Sequence, residues 1–340
     1  MDTTREVEAG VLARARGCLL GQFAGDSLGG LVEFRDAEDI RAMYPRGVRE
    51  LADGGSWNTI AGQPTDDSEL ALMLARSLVE RGEFEDDAVA RAYGHWYASG
   101  PFDCGGTIAR AASVASRVAA NHAATARRFA NTESQANGAL MRVSPLGVYG
   151  HAMRLEHVAE LARRDASLTH PHAVCLDASA VFAVTIARAV SGGGAAGKLF
   201  DFAIGWAEAA GLHADVRADL AAAAEEPPAD FSRNMGWVRI AVQNAFYQLG
   251  HAESLEAGVV DTVMCGGDTD TNAAIAGALL GAVYGESGLP RQWREAVLNC
   301  RPAAGVAGVK RPRPPEFWPV DALELADGLV RRGAEFAKGT

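Results

Sequence analysis

The chain has 340 residues, 48% of them hydrophobic and 22% charged, with a formal charge of −11. Those proportions are globular rather than disordered or fibrous, and the acidic surplus disfavours nucleic acid and anionic membranes, which are held mainly by Lys and Arg against phosphate. Five scattered cysteines with no CxxC spacing indicate neither a disulfide framework nor a zinc site, and the opening Met-Asp-Thr-Thr-Arg-Glu-Val-Glu lacks the pattern of a secretion signal, so a cytoplasmic protein outside the membrane is expected.

A helix is predicted from about Glu6 to Phe23, with Val11, Leu12, Ala15, Leu19 and Phe23 at helical spacing. Gly17, Gly21, Gly25 and Gly29 recur every four residues. Each glycine weakens a helix by up to about 1 kcal/mol, and the return is room for another backbone. Asp26 and Glu33 are seven apart, so a helix continued through Gly29 and Gly30 would point both carboxylates roughly the same way. Glu33 is then either a group beside the glycine face or a solvated charge at a helix end.

Residues 41–62 are turn-rich and read as an irregular surface connection. They deliver the chain to Thr65-Asp66-Asp67-Ser68, followed by a strong helix from Glu69 that stops at Gly82. A long helical region with polar interruptions comes next. Helices are predicted over Ala88–Ser99 and Thr107–Ala120, parted by Gly100-Pro-Phe-Asp103-Cys-Gly-Gly106, where Asp103 is either a turn residue or a carboxylate offered to a ligand. The loop 134–147 holds free amides, hydroxyls and Arg142, suited to sugar and phosphate contacts. His170 and His172 precede a buried-looking helix from Leu176 to Val190, a place where histidine more often caps or packs than reacts. A glycine-rich surface loop, 191–197, leads to a helical pair over Asp201–Ala224, a break at 225–230, and an amphipathic helix over Trp237–Gly250.

Cys265-Gly-Gly-Asp268-Thr-Asp270-Thr271-Asn then opens a small-residue apolar run that reads as a buried helix ending at Gly285. A Pro-rich, basic segment, 301–315, and a last helix over Val320–Ala337 close the chain. Alternating strand patterns are almost absent, so one all-α domain spanning 1–340 is expected.

The two acidic clusters carry the chemistry. One carboxylate or hydroxyl is enough to cap a helix, and each cluster holds more. If the clusters converge, Asp66, Asp67, Asp268 and Asp270 bring four negative charges together, which a low dielectric forbids without cations. Oxygen ligands without His or Cys in either cluster favour Mg²⁺ or Mn²⁺ over Zn²⁺, with the hydroxyls of Thr65, Ser68 and Thr271 completing the shell.

Gly25-Asp-Ser-Leu-Gly-Gly-Leu-Val-Glu33-Phe, Thr65-Asp-Asp-Ser68, Asn137-Gly-Ala-Leu-Met-Arg142 with Pro145-Leu-Gly147, Thr169-His170-Pro, and Gly266-Gly-Asp-Thr-Asp-Thr-Asn-Ala273 together resemble the ADP-ribosylglycohydrolase family, over about residues 12–335. The resemblance implies a compact all-α fold of many orthogonally packed helices with a binuclear Mg²⁺ or Mn²⁺ centre in a central cleft. By that resemblance Thr65, Asp66, Asp67, Asp268, Asp270 and Thr271 are metal ligands, and Glu33 is the carboxylate near the metals and the scissile ribose. Asn137, Gly138 and Met141 hold ADP-ribose, and His170 lies near its distal part. Asp103 resembles the loop aspartate of the dinitrogenase reductase-activating branch, which faces an arginine guanidinium. Ser68 departs from the family's usual threonine. The implied activity is hydrolysis of arginine-linked ADP-ribose on a modified protein by a monomer. Serine- or otherwise O-linked ADP-ribose, small ADP-ribosyl compounds, and a non-catalytic binding or immunity role are the alternatives.

Overall fold

The computed structural model describes residues 3–339. In chain order the helices are α1 (Thr3–Gly29), α2 (Ala37–Met43), α3 (Asp66–Arg81), α4 (Asp86–Ala98), α5 (Gly106–Ala115), α6 (His122–Phe129), α7 (Ser144–Tyr149), α8 (Leu155–Ser167), α9 (Ala173–Gly192), α10 (Ala196–Ala209), α11 (Ala214–Ala222), α12 (Val238–His251), α13 (Leu255–Met264), α14 (Thr269–Tyr284), α15 (Arg291–Asn299) and α16 (Ala322–Gly339). Among the described residues there is no strand, only isolated bridges such as Asp36 with Gly266 and Ala136 with Trp237. The expected all-α class is the observed one.

The glycine stripe finds its partner in α14. A Cβ placed on Gly17, Gly21, Gly25 or Gly29 would lie 2.4, 2.2, 2.1 or 2.3 Å from the carbonyl oxygen of Gly281, Gly277, Ala273 or Thr269 respectively. The pairs run in opposite order, so α1 and α14 are antiparallel with their backbones in contact. That packing carries α1 past Phe23 to Gly29, because tertiary contact outweighs the low helix propensity of glycine. It also sets the end of α1 beside the start of α14, where the Thr269 hydroxyl donates to the Gly29 carbonyl at 2.7 Å.

Two helix starts differ from the sequence expectation. α3 begins at Asp66 and α14 at Thr269, which puts Asp66, Asp67, Asp270 and Thr271 in first turns. Neither Asp66 nor Asp67 caps α3, while on α14 Asp270 accepts the first-turn amide of Thr271 at 2.9 Å. For α3 the capping carboxylate comes from α1: Asp26 accepts the Thr65 amide at 3.0 Å and the Ser68 amide at 3.1 Å. α2 and α15 are short helices that the sequence pattern does not single out.

α9 is long and apolar enough to cross a bilayer, but 78% of its most apolar window is buried inside the protein, so it is a core helix. The basic Pro-rich segment is also tied down. Arg313, 5% exposed, donates to both oxygens of Glu69 at 2.8 and 2.7 Å. It also donates to the Ser99 hydroxyl at 2.8 Å. This pins the segment onto the first turn of α3 and the approach to the 100–105 loop.

Candidate metal centre and active-site cleft

The turn before α14 is built for close approach. Gly266 and Gly267 have φ of 79° and 76°, and a Cβ on Gly267 would lie 2.0 Å from the Phe231 carbonyl oxygen. Glycine alone fits there without strain. The turn is laced to the residues after Glu33 by the Phe34 amide donating to Gly267 O and the Gly267 amide donating to Arg35 O, each at 2.9 Å. Glu33, Asp268 and Asp270 therefore converge, with a carboxylate oxygen from each within 4.8 Å of the others, and all three are buried.

These residues line a cleft of about 280 Å³, together with Asp66, Asp103 and Thr271. Asn137, Gly138, Met141 and His170 line the same cleft. Thr65 and Asp67 do not. The Thr65 hydroxyl is engaged with Asp26 and Asp67, at 3.0 and 2.8 Å. The cation-sized carboxylate group is thus Glu33 with the α14 pair, and the α3 aspartates stand outside it.

Other predicted residues take specific places. The Asn137 amide donates to Asp268 Oδ2 at 2.7 Å, so it steadies a carboxylate of the cleft. A Cβ on Gly138 would lie 3.0 Å from the His170 ring, so bare backbone there keeps that ring in reach of the cleft. His170 is paired through Nδ1 with the Thr169 hydroxyl at 2.8 Å, and its Nε2 is buried without a partner. Burial, with Arg142 nearby, pushes its pKa down to about 3, so the ring is neutral. His172 caps α9, accepting the Val174 amide at 3.2 Å.

Arg142 corrects the sequence expectation of a ligand-facing cation. It is fully buried, donates to Asp165 Oδ2 and the Asp165 carbonyl at 3.0 Å each, and lies 4.3 Å from the Tyr93 ring centre. Its short loop is covered on all sides, so a charge that the pattern would leave free is consumed by an internal ion pair.

The cleft is electrostatically strained without cations. Burial and then the charge of Asp268 push the Glu33 carboxyl up to about 8. Burial, followed by Glu33, Asp26 and Asp268, pushes Asp103 up to about 8 as well. Asp66, Asp67 and Asp270 are raised well above the carboxylate range, chiefly by burial and then by neighbouring carboxylates. Hard divalent cations fit this donor set: it is rich in carboxylate oxygens, and Asp67 Oδ1 is buried with no partner at all.

A stability test follows from the sign of these shifts. A carboxyl whose folded pKa is raised stabilises the fold fully below its unfolded value and loses that contribution as pH rises through the folded value. With Glu33 and Asp103 at about 8, the chelator-treated protein is expected to lose thermal stability steadily from about pH 4.5 to pH 8. Added Mn²⁺ or Mg²⁺ is expected to restore it, with a gain in melting temperature that grows with pH over the same window. Scanning fluorimetry in a pH series reads both effects, and a cation-induced gain that shrinks with rising pH would contradict the assignment.

Sequence reasoning assigned no role to Asp26 and passed over Trp57. The Trp57 indole N–H donates to Glu33 Oε2 at 2.6 Å. Trp57 lies in a turn with no periodic pattern, so only its isolation as a large aromatic among Gly, Ser and Asn could have signalled it.

An all-helical fold that gathers this many carboxylates in one cleft has a buried acidic group of the kind that can hold hard, oxygen-ligated cations. Residues 8–332 match the family model described as ADP-ribosylglycohydrolase, and the chain belongs to that family. It is 28% identical to the ADP-ribosyl-dinitrogen reductase glycohydrolase of Rhodospirillum rubrum, over 82% of this chain and 88% of that protein. It is 26% identical to the ADP-ribosylarginine hydrolase Tri1 of Pseudomonas putida (92% and 81%) and 25% identical to the ADP-ribosylhydrolase ARH3 of Bos taurus (84% and 88%). A solved structure titled ADP-ribosylglycohydrolase-related protein complex superposes with a TM-score of 0.76 at 26% identity, covering 96% of this chain and 99% of that one. Such even similarities establish the family and the fold and leave the branch within the family unassigned.

Proposed function

We propose that this protein hydrolyses the N-glycosidic bond between ADP-ribose and the arginine side chain of a modified protein. The observation that carries this reading is Asp103: a half-buried carboxylate on the wall of the same cleft as Glu33, Asp268 and Asp270, pushed up to about 8 by desolvation and neighbouring carboxylates. A guanidinium is the cation that matches it, since a carboxylate accepts paired, charge-assisted hydrogen bonds from its planar fork. Two relatives named for ADP-ribosylarginine or ADP-ribosyl-dinitrogen reductase chemistry support the choice.

Asp268, Asp270 and Thr271, with Asp66 in the same cleft lining and with Thr65 and Asp67 at the start of α3 outside that lining, would hold two divalent cations, Mg²⁺ or Mn²⁺. When bound, those cations supply charge neutralisation and hold the ribose hydroxyls and a water in place. Glu33 takes and returns the proton of the attacking water. Asp103 orients the guanidinium as a carboxylate, and the proton that Glu33 takes from water is the one it returns to the departing nitrogen. Asn137, Gly138, Met141 and His170 seat the rest of ADP-ribose, where a neutral His170 offers a hydrogen bond without charge. A monomer acting in the cytoplasm remains the expectation.

The test is release of free ADP-ribose from arginine-ADP-ribosylated protein, with Mg²⁺ or Mn²⁺ and with chelator, beside serine-ADP-ribosylated protein as a second substrate. Cation-dependent release from arginine is the expected result. Release from serine alone would overturn the linkage, and tight ADP-ribose binding without release from either would overturn the catalytic reading.

A further inference from the structure

The end of α1 is clipped to the turn 54–59, and this turn delivers one large side chain to the edge of the cleft. Gly54 and Thr59 exchange backbone hydrogen bonds at 2.8 and 3.0 Å, closing the turn. The Ser56 amide donates to the Gly30 carbonyl at 3.0 Å, and the Ser56 hydroxyl donates to the Glu33 carbonyl at 2.8 Å. Trp57 is then held on every flank. Its indole N–H donates to Glu33 Oε2 at 2.6 Å. Its ring meets Phe34 edge-on at 6.3 Å and Phe102 at 6.0 Å. Its carbonyl accepts Arg311 Nε at 2.8 Å, and that guanidinium lies 6.0 Å from the centre of the Phe102 ring. Phe34 and Phe102 are the chain neighbours of Glu33 and Asp103, so one indole braces both segments that carry the proposed proton-transfer and guanidinium-orienting groups. The basic segment 301–315, which Arg313 anchors to Glu69, supplies the brace through Arg311.

We propose that Trp57 is a positioning residue for Glu33 in the hydrolysis, a reading that rests on the function proposed above. Glu33 faces Asp268 and Asp270, and whenever it is ionised the like charges at that spacing push its side chain away from them. An indole N–H opposes that drift. It is donor-only, so it holds Oε2 without competing for the proton that Glu33 is to move. A displacement of about 1 Å at such a group costs on the order of 100-fold in rate.

Trp57→Phe keeps the ring and removes the donor. It is expected to lower kcat about 10- to 100-fold, while KM, and the affinity for ADP-ribose measured by calorimetry, stay within about twofold of wild type. In a Glu33→Gln background the same change is expected to add no further loss, since Trp57 acts through Glu33. A readout independent of turnover is the Trp57 indole ¹H–¹⁵N resonance, assigned through its contacts with the Phe34 and Phe102 rings. In Mg²⁺-loaded protein, where Glu33 is ionised, it is expected to move upfield on Glu33→Gln as a charged acceptor becomes neutral. This measurement stands even if Trp57→Phe fails to fold. A Trp57→Phe enzyme with wild-type kcat, or an indole resonance indifferent to Glu33→Gln, overturns the proposal. If the wild-type protein releases ADP-ribose from no linkage, the functional reading falls while the indole measurement still decides the contact.

Discussion

Replacing Asp268 with Asn is expected to remove cation-dependent ADP-ribose release, by about 10²- to 10³-fold or more in kcat, while the helical fold stays intact. The carboxylate is 9% exposed, accepts the Asn137 amide, and lies in the cation-sized group with Glu33 and Asp270. An asparagine there is close in shape, so packing survives, but one of the charges that would attract a divalent ion is gone. Stability and activity should move in opposite directions. Without cations the variant is expected to melt at or above the wild-type temperature, because a repelling charge has been deleted. With Mn²⁺ the wild type gains stability and the variant gains little. Full activity in Asp268→Asn would remove the basis for the metal centre, and loss of activity with a collapsed melting transition would point to the fold.

Arg313→Met is expected to destabilise the protein by about 3–5 kcal/mol, the cost of stranding one member of a buried ion pair. Glu69 lies on the first turn of α3, 1% exposed, and receives the Trp96 indole N–H at 2.7 Å in addition to Arg313. Burial pushes its carboxyl up to about 7 even against the pull of Arg313. Without the guanidinium the carboxyl must take a proton to stay buried, so the loss is expected to grow as pH rises above about 7. Denaturant unfolding at two pH values reads this directly. Arg313→Met combined with Glu69→Gln should recover much of the loss, since a neutral pair leaves no charge in the core. A single variant whose stability matches wild type at pH 8 would show that the pair contributes nothing net. Arg313 also reaches Ser99 and its segment carries Arg311 to Trp57, so the same variant should loosen the loop before Asp103.

Much was legible in the residues themselves. Helical spacing, small-residue runs and the near absence of alternation gave the all-α class, and the stripe Gly17–Gly21–Gly25–Gly29 announced a close backbone partner. Five short motifs carried the family, and the crowding of aspartates beyond any capping need pointed to cations. These features are local: residue type, period and order along the chain suffice to read them.

Other features waited for the packed chain. The partner of the glycine stripe proved to be α14, joined across 240 positions by Thr269 and Gly29. Asp26 turned out to cap α3 from another helix, which leaves Asp66 and Asp67 free of that duty. Arg142 looked available and is consumed by Asp165. Trp57, which no pattern in the sequence marks, holds Glu33. In each case the deciding quantity is which polar groups share a buried volume. Local periodicity says which face of a helix is covered, but the partner on that face is chosen by backbone approach and by the cost of leaving any buried donor, acceptor or charge unpaired.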